Sequence, residues 1–216
     1  GVPDTAPQAL EAQLLAGMAY WQAYVEGATR AEGERPPKET LAQYQAEATK
    51  ILTAAITKSD EKVPKDAPSE DNVSLAKANL VQILNQVGKY ADSVKYLTDG
   101  PKALVLAVRV VDETQRPAKG LKSRPIAEHV YRELLRSYVG LQQLEKARAT
   151  MKDLEKLAAA GGGGAQDVIK IYLELGRELK KEVEQLRGAG DPRLADVLKS
   201  FESFLDDIFQ RKEGQD

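Results

Sequence analysis

Apolar residues recur every three or four positions along most of this chain, and this spacing constrains its fold more than any other feature. Such a period places apolar side chains on one face of an α-helix, whereas a half-buried strand alternates at every second residue. The clearest apolar face consists of Leu194, Val197, Leu198, Phe201, Phe204, Leu205 and Ile208. Nine stretches of this kind are separated by glycine, proline or charged segments, so the sequence predicts nine helices and an all-α fold.

The residue composition also favours helices over strands. Alanine and leucine together account for 54 of the 216 residues, whereas valine, isoleucine and threonine account for 32. The first two have high helix propensity, and the β-branched residues favour strands. Residues 101–111 contain a valine-rich run that fits either a short helix or a short buried strand. We interpret it as a helix, because Pro101 suits a first helical turn and no second strand-like run is present to pair with it.

Breaks in the helical pattern divide the chain into four parts. Residues 1–58 are a predicted N-terminal helical hairpin, and residues 59–72 are a charged loop or linker. Residues 73–160 contain further helical pairs. Residues 161–216 are a long C-terminal hairpin that begins with four consecutive glycines, a composition typical of a joint. The chain starts without methionine and ends in a polar run, so we expect it to be a segment of a longer protein.

The composition excludes several classes of function. Lys and Arg number 31 against 33 Asp and Glu, and this near-neutral balance disfavours general nucleic-acid binding. The absence of cysteine excludes disulfides, thiolate catalysis and cysteine-ligated metals, and the single histidine excludes any site built from two. No apolar run reaches the roughly 20 residues of a membrane span. We therefore expect no cofactor, no metal and no enzymatic activity. No targeting signal is present, so the compartment stays open.

Two parts of the chain match when the sequence is shifted by 54 residues. In the first helix of each part, Lys77, Leu80, Val81 and Leu84 align with Tyr131, Leu134, Leu135 and Tyr138. In the second helix, Ser93 and Leu97 align with Ala147 and Met151. A third block, which consists of Tyr172, Leu175, Gly176 and Leu179, opens in the same way 41 residues later. The small residues allow two antiparallel helices to approach closely, and the large ones fill the space between neighbouring pairs.

This pattern resembles the tetratricopeptide repeat (TPR), and the resemblance covers residues 73–187. Gly88 followed by Lys89-Tyr90-Ala91 is similar to the turn between the two helices of a TPR. Lys77 departs from the pattern because the family has a large residue there, and the offsets of 54 and 41 imply insertions. The wider segment resembles TPR-like regions of large planctomycete-type bacterial proteins. The resemblance implies hairpins stacked into a right-handed superhelix, a binding scaffold without chemistry of its own.

In a TPR, polar residues on the first helix of each pair line a concave groove. The alignment places these positions at Asn79, Gln82, Asn85, His129, Arg132 and Arg136. The resemblance implies that they bind a protein or peptide, and two guanidinium groups facing amides favour an acidic one. They could instead be solvated faces of amphipathic helices, and the family's lysine and asparagine clamp for C-terminal carboxylates is not reproduced. We expect a non-enzymatic protein- or peptide-binding scaffold; the alternative is a structural spacer without a ligand, with an enzyme a remote third. The oligomeric state stays open.

Overall fold

The computed structural model describes residues 8–61, 70–108, 124–160, 172–173, 176–177, 180, 183–184, 186–188 and 190–213. Its helices are α1 (Ala9–Thr29), α2 (Lys38–Glu61), α3 (Glu70–Gln86), α4 (Tyr90–Thr98), α5 (Leu104–Val108), α6 (Arg124–Gly140), α7 (Leu144–Ala160) and α8 (Leu194–Glu213). A 3-10 helix, Glu32–Glu34, separates α1 from α2, and the residues described between 172 and 188 are also helical. These described ranges contain no β-strand, which confirms the all-α class.

Two helix boundaries differ from the prediction. The valine-rich run is helical in α5, as we expected, but the helix starts after Pro101 because residues 101 and 102 form a turn. The loop predicted at 59–72 extends beyond the observed gap between the helices at both ends, since α2 continues to Glu61 and α3 begins at Glu70. Ser59 lies in this extension of α2, where its side chain is buried and its hydroxyl donates to the Ala55 carbonyl at 2.7 Å. Residues 62–69, 109–111 and the glycines at 161–164 lie outside the described ranges.

The helices α1 and α2 form a closely packed antiparallel hairpin. The Leu52 side chain packs on Gly17 and the Leu41 side chain packs on Gly27, so later positions of one helix meet earlier positions of the other. A Cβ atom on Gly17 would lie 2.7 Å from Cγ of Leu52, which is closer than side-chain contacts come. Glycine at this position therefore lets the two backbones approach.

The helical pairs stack in the order of the chain. Turns of residues 87–89 and 141–143 join α3 to α4 and α6 to α7, and the helices of each pair contact each other. In addition, α3 contacts both α1 and α2, and α6 contacts both α3 and α4. The first helix of these later pairs thus lies against both helices of the pair before it. The short α5 packs beside α3, α4 and α6, and α8 contacts α6.

Helix α3 has a central position because two of its sides belong to different apolar clusters. Leu80 and Ile83 pack with residues of α1 and α2, among them Leu14 and Leu52. Val81 belongs instead to the cluster that α3 shares with α4, α5, α6 and α7. Burial of one such aliphatic side chain contributes about 1.5–3 kcal/mol. The α1–α2 hairpin covers one side of α3, and helices α4 to α7 cover the other. Burial of both sides of α3 therefore requires helices stacked on each side of it.

The turns after α3 and α6 have the same geometry, 54 residues apart along the chain. Gly88 has a φ of +75° in the first turn, and Gln142 has a φ of 58° in the second. In both turns the following amide donates to the carbonyl five residues before it, at 2.8 Å. Gly190, with a φ of 62°, repeats this hydrogen bond at 3.0 Å before α8. Each turn is therefore a Schellman motif, which ends a helix with one left-handed residue.

Replacing Gln142 with glycine is expected to raise the free energy of unfolding by about 0.5–1 kcal/mol. Gln142 is the non-glycine residue with positive φ among those described, and its side chain is exposed, so the substitution relieves backbone strain without removing a buried contact. Urea denaturation measures the change. Gln143→Gly is the control, because Gln143 has no positive φ and should lose stability. An unchanged or lower stability of Gln142→Gly would contradict the prediction.

Candidate binding cleft

A cleft with a volume of about 830 Å³ opens between the α1–α2 hairpin, α3 and α6. Its apolar lining comes from α1 and the first half of α2, and consists of Trp21, Tyr24, Val25, Ala28, Leu41 and Ala42. Its polar lining consists of Thr29, Arg35, Lys38, Gln45, Gln82, Gln86 and Arg136. The cleft therefore combines an apolar surface with several hydrogen-bonding groups, a composition typical of ligand-binding pockets.

Two aromatic side chains of α1 are held by two amides of α3. Trp21 Nε1 donates to Gln82 Oε1 at 2.8 Å, and Gln86 Nε2 donates to the Tyr24 hydroxyl. The two rings are stacked, with centroids 4.9 Å apart and planes 10° from parallel. Burial raises the pKa of Tyr24, and the hydrogen bond from Gln86 opposes that rise. The Trp21 indole N–H and the Tyr24 hydroxyl thus both have a hydrogen-bond partner on α3, and these two bonds hold α1 against α3 on this side of the cleft.

All the charged side chains that line the cleft are cations. Arg35 and Lys38 are exposed where the chain enters α2, whereas Arg136 projects from α6 and is 9% exposed. The described lining contains no aspartate and no glutamate. Guanidinium groups bind carboxylates in a bidentate way, and an ammonium group adds a point charge. The charged groups of the described lining are therefore all basic, a composition that favours anionic groups over cationic ones.

The six residues predicted to line a groove do not all meet in the cleft. Gln82 and Arg136 belong to its lining. Asn79, His129 and Arg132 are half-buried and lie outside it. These residues lie apart because α3 and α6 each contact several other helices. Residues that the sequence pattern assigns to one side of a helix therefore pack against different neighbouring helices. Of the six predicted residues, the described lining of the cleft therefore contains one amide, Gln82, and one guanidinium group, Arg136.

Asn85 does not line the cleft, because its side chain is fully buried between α3 and α6. Its Nδ2 donates to the Glu133 carbonyl at 2.9 Å and to Glu133 Oε2 at 2.7 Å. The Ser137 hydroxyl lies 2.8 Å from Asn85 Oδ1 and 2.9 Å from the hydroxyl of Ser93. Asn85, Glu133 and Ser137 therefore form a buried polar network with Ser93 that joins α3, α6 and α4.

His129 and Arg132 contact each other one turn apart on α6. Arg132 Nη2 lies 3.4 Å from His129 Nδ1. Burial lowers the pKa of His129; the carboxylate of Glu133 opposes this, and the charge of Arg132 adds to it. The imidazole is therefore neutral near pH 7, and an unprotonated Nδ1 can accept a hydrogen bond from the guanidinium group.

No pattern in the sequence indicates that Arg35 and Lys38 line the cleft. They flank Pro36 and Pro37, and this segment reads as a break between two helices. Trp21 is buried, as its position on the apolar face of α1 predicts, and Tyr24 is half-buried beside it. The signal that could have indicated the site is the pair of basic residues on either side of Pro36 and Pro37, since proline restricts the backbone next to these side chains.

Comparison of this chain with protein-family models, with curated proteins and with solved structures found no match. Of the helices that the structure describes, none is sufficiently long and apolar to cross a bilayer. The same part of the chain contains no group of three or more His, Asp or Glu side chains arranged to hold a metal ion.

Proposed function

We propose that this chain is a non-enzymatic scaffold segment that binds an acidic stretch of a partner protein or peptide in the cleft. The observation that carries this proposal is the charge of the lining: among the residues that the structure describes, three cations and no carboxylate lie beside an apolar surface. An acidic peptide supplies carboxylates for the exposed side chains of Arg35 and Lys38, and its apolar side chains can cover Val25 beside the aromatic pair.

We further propose that the helical pairs form a TPR-like right-handed superhelix. Three observations support this arrangement. Helix α3 contacts both α1 and α2, and helix α6 contacts both α3 and α4. The turns at Gly88 and Gln142 share one geometry. The aligned small residues Ser93 and Ala147 are both fully buried, as close helix packing requires.

Binding can be measured through Trp21, which is the single tryptophan of the chain and lies in the cleft wall. The probe is a short peptide in which Asp and Glu alternate with Phe and Leu; its matched control carries Asn and Gln in place of the acids. We expect the acidic peptide to change the Trp21 fluorescence in a saturable way and the neutral one to bind much more weakly. The affinity should fall with added salt, because exposed ion pairs are screened.

The double variant Arg35→Ala, Lys38→Ala is expected to weaken binding of the acidic peptide about tenfold, since two exposed cations together contribute about 1.4 kcal/mol. The matched control is Lys50→Ala, Lys58→Ala, which removes two exposed cations of α2 that line a different and smaller depression of about 410 Å³. Equal affinities for the two double variants would contradict the assignment of the cleft. Absence of binding by both peptides would favour the alternative, a structural spacer without its own ligand.

A further inference from the structure

The side chain of Gln82 has one end bound to the protein and the other end open to the cleft. Its Oε1 accepts the indole N–H of Trp21 at 2.8 Å. An indole nitrogen only donates, so this contact determines that Oε1, and not Nε2, faces Trp21. Among the residues that the structure describes, no group is hydrogen-bonded to Gln82 Nε2, and this atom is not enclosed. Because Gln82 lines the cleft, its Nε2 offers a donor to a bound ligand.

Gln86, one helical turn later on α3, is oriented the opposite way. Its Nε2 donates to the Tyr24 hydroxyl, so Oε1 is the end that is left for another partner. The described part of the chain gives Gln86 Oε1 no hydrogen bond, and this atom too is not enclosed. Gln86 also lines the cleft. It therefore offers an acceptor one turn away from the donor that Gln82 offers.

A rigid support holds the two amides in these orientations. Trp21 is only 3% exposed, and its ring is stacked on the ring of Tyr24. Both rings belong to α1 and both amides belong to α3, and these two helices pack on each other through buried side chains such as Leu14 and Leu80. Because each amide is fixed before a ligand arrives, its hydrogen bond to the ligand costs little side-chain entropy.

The spacing of the donor and the acceptor matches an extended peptide backbone. Four residues of an α-helix advance about 6 Å along its axis. In an extended chain, the residues whose N–H and C=O groups point to one side recur at every second position, about 7 Å apart. Gln82 can therefore donate to the carbonyl of one peptide residue while Gln86 accepts the N–H of the residue two positions away. A helical peptide offers no such groups along its length, because its backbone N–H and C=O groups bond to each other.

We infer that the cleft binds its acidic partner as an extended segment whose backbone is recognised by Gln82 and Gln86. This inference rests on the proposed binding function, and it specifies the conformation of the ligand at the same site. Arg35 and Lys38 select acidic side chains, whereas the two amides bind backbone groups that every residue except proline carries in full. The cleft is therefore selective for charge and for backbone conformation, and tolerant of the side chains at the two positions that the amides hold.

N-methylation of the acidic peptide, one residue at a time, tests this inference without any change to the protein. Each methyl group removes one backbone donor and leaves the side chain in place. Calorimetry with the full chain measures the affinity. We expect about fivefold weaker binding when the methyl group removes the N–H that Gln86 accepts, and little change at the two neighbouring residues, whose N–H groups point away from α3. Similar losses at all interior positions would indicate a helical ligand and overturn the inference.

Gln82→Glu and Gln86→Glu are a matched pair of protein variants, because they add the same charge to the same helix one turn apart. In Gln82→Glu, the carboxylate still accepts the Trp21 N–H but has no donor for the peptide carbonyl. In Gln86→Glu, the acceptor for the peptide remains, and the Tyr24 hydroxyl can donate to the carboxylate. We expect Gln82→Glu to bind the acidic peptide about fivefold more weakly than Gln86→Glu does. An unchanged emission maximum of Trp21 checks that the indole stays in place.

The outcomes separate this inference from the proposed binding function. Equal affinities of the two glutamate variants would overturn the role of Gln82. If no N-methyl position affects binding, the recognition of the backbone is overturned, while a preference for the acidic over the neutral peptide still supports the binding function. If neither peptide binds, the binding function fails, and the recognition of an extended segment fails with it.

Discussion

Replacing Asn85 with alanine is expected to lower the free energy of unfolding by about 3 kcal/mol. Asn85 supplies the hydrogen bond that the structure gives to the Glu133 carboxylate, and Glu133 is only 2% exposed. Removing the amide therefore leaves the Glu133 carboxylate buried without this donor and also removes one of the hydrogen-bond partners of Ser137. Urea denaturation followed by circular dichroism measures the loss.

Asn79→Ala is the matched control for this prediction, because it removes the same kind of side chain from the same helix. Asn79 is half-buried, and no hydrogen bond ties it to the buried polar network. We expect a change within about 0.5 kcal/mol for this variant. Equal effects of the two substitutions would show that the network around Asn85 contributes no more than an ordinary helix position.

Replacing Asp60 with alanine is expected to cost about 2 kcal/mol, because it leaves the ammonium group of Lys77 buried without its counter-ion. Lys77 is 4% exposed, and its Nζ lies 3.2 Å from the Asp60 carboxylate and 3.3 Å from the Lys102 carbonyl. Asp60 is itself partly exposed, which keeps the expected loss below that of a fully buried pair. Asp92→Ala is the control, since its ion pair with Lys95 is exposed.

The double variant Asp60→Ala, Lys77→Leu distinguishes a buried charge from a simple loss of contacts. Apolar residues of similar volume often replace buried ion pairs without loss of stability. We therefore expect the double variant to recover most of the stability that Asp60→Ala loses, and the two changes to be strongly non-additive. If the double variant is less stable than Asp60→Ala alone, Lys77 contributes through packing of its methylene groups rather than through its charge.

The sequence predicted the local features of this fold well. Helical spacing identified the helices, and the 54-residue shift identified two parts whose turns, at Gly88 and Gln142, have the same geometry. These features depend on residues close together in the chain, which carry the helical period and the left-handed turn position. Lys77 was recognised as a departure from the repeat, but its partner Asp60 was not, because that contact joins α2 to α3.

The candidate site could be predicted only in part. Of the six residues predicted to line a groove, Gln82 and Arg136 line this cleft, whereas Asn85 lies in the interior. Arg35 and Lys38 also line the cleft, and they lie at the start of α2 and just before it, where the sequence has no repeat signal. A polar residue on a helix face has the same sequence signature whether that face meets water or another polar residue. The distinction requires knowledge of the neighbouring helix.

The sequence by itself determined which segments are helical, where the paired helices turn and which small residues allow close packing, because these properties follow from local spacing and backbone conformation. Only the tertiary structure decided which polar side chains face the cleft and which are enclosed. That decision depends on how α1, α2 and α8 surround α3 and α6, since burial is a property of neighbours distant in the chain. The basic lining of the cleft and the hydrogen bonds from Trp21 and Gln86 that join α1 to α3 both arise at this level.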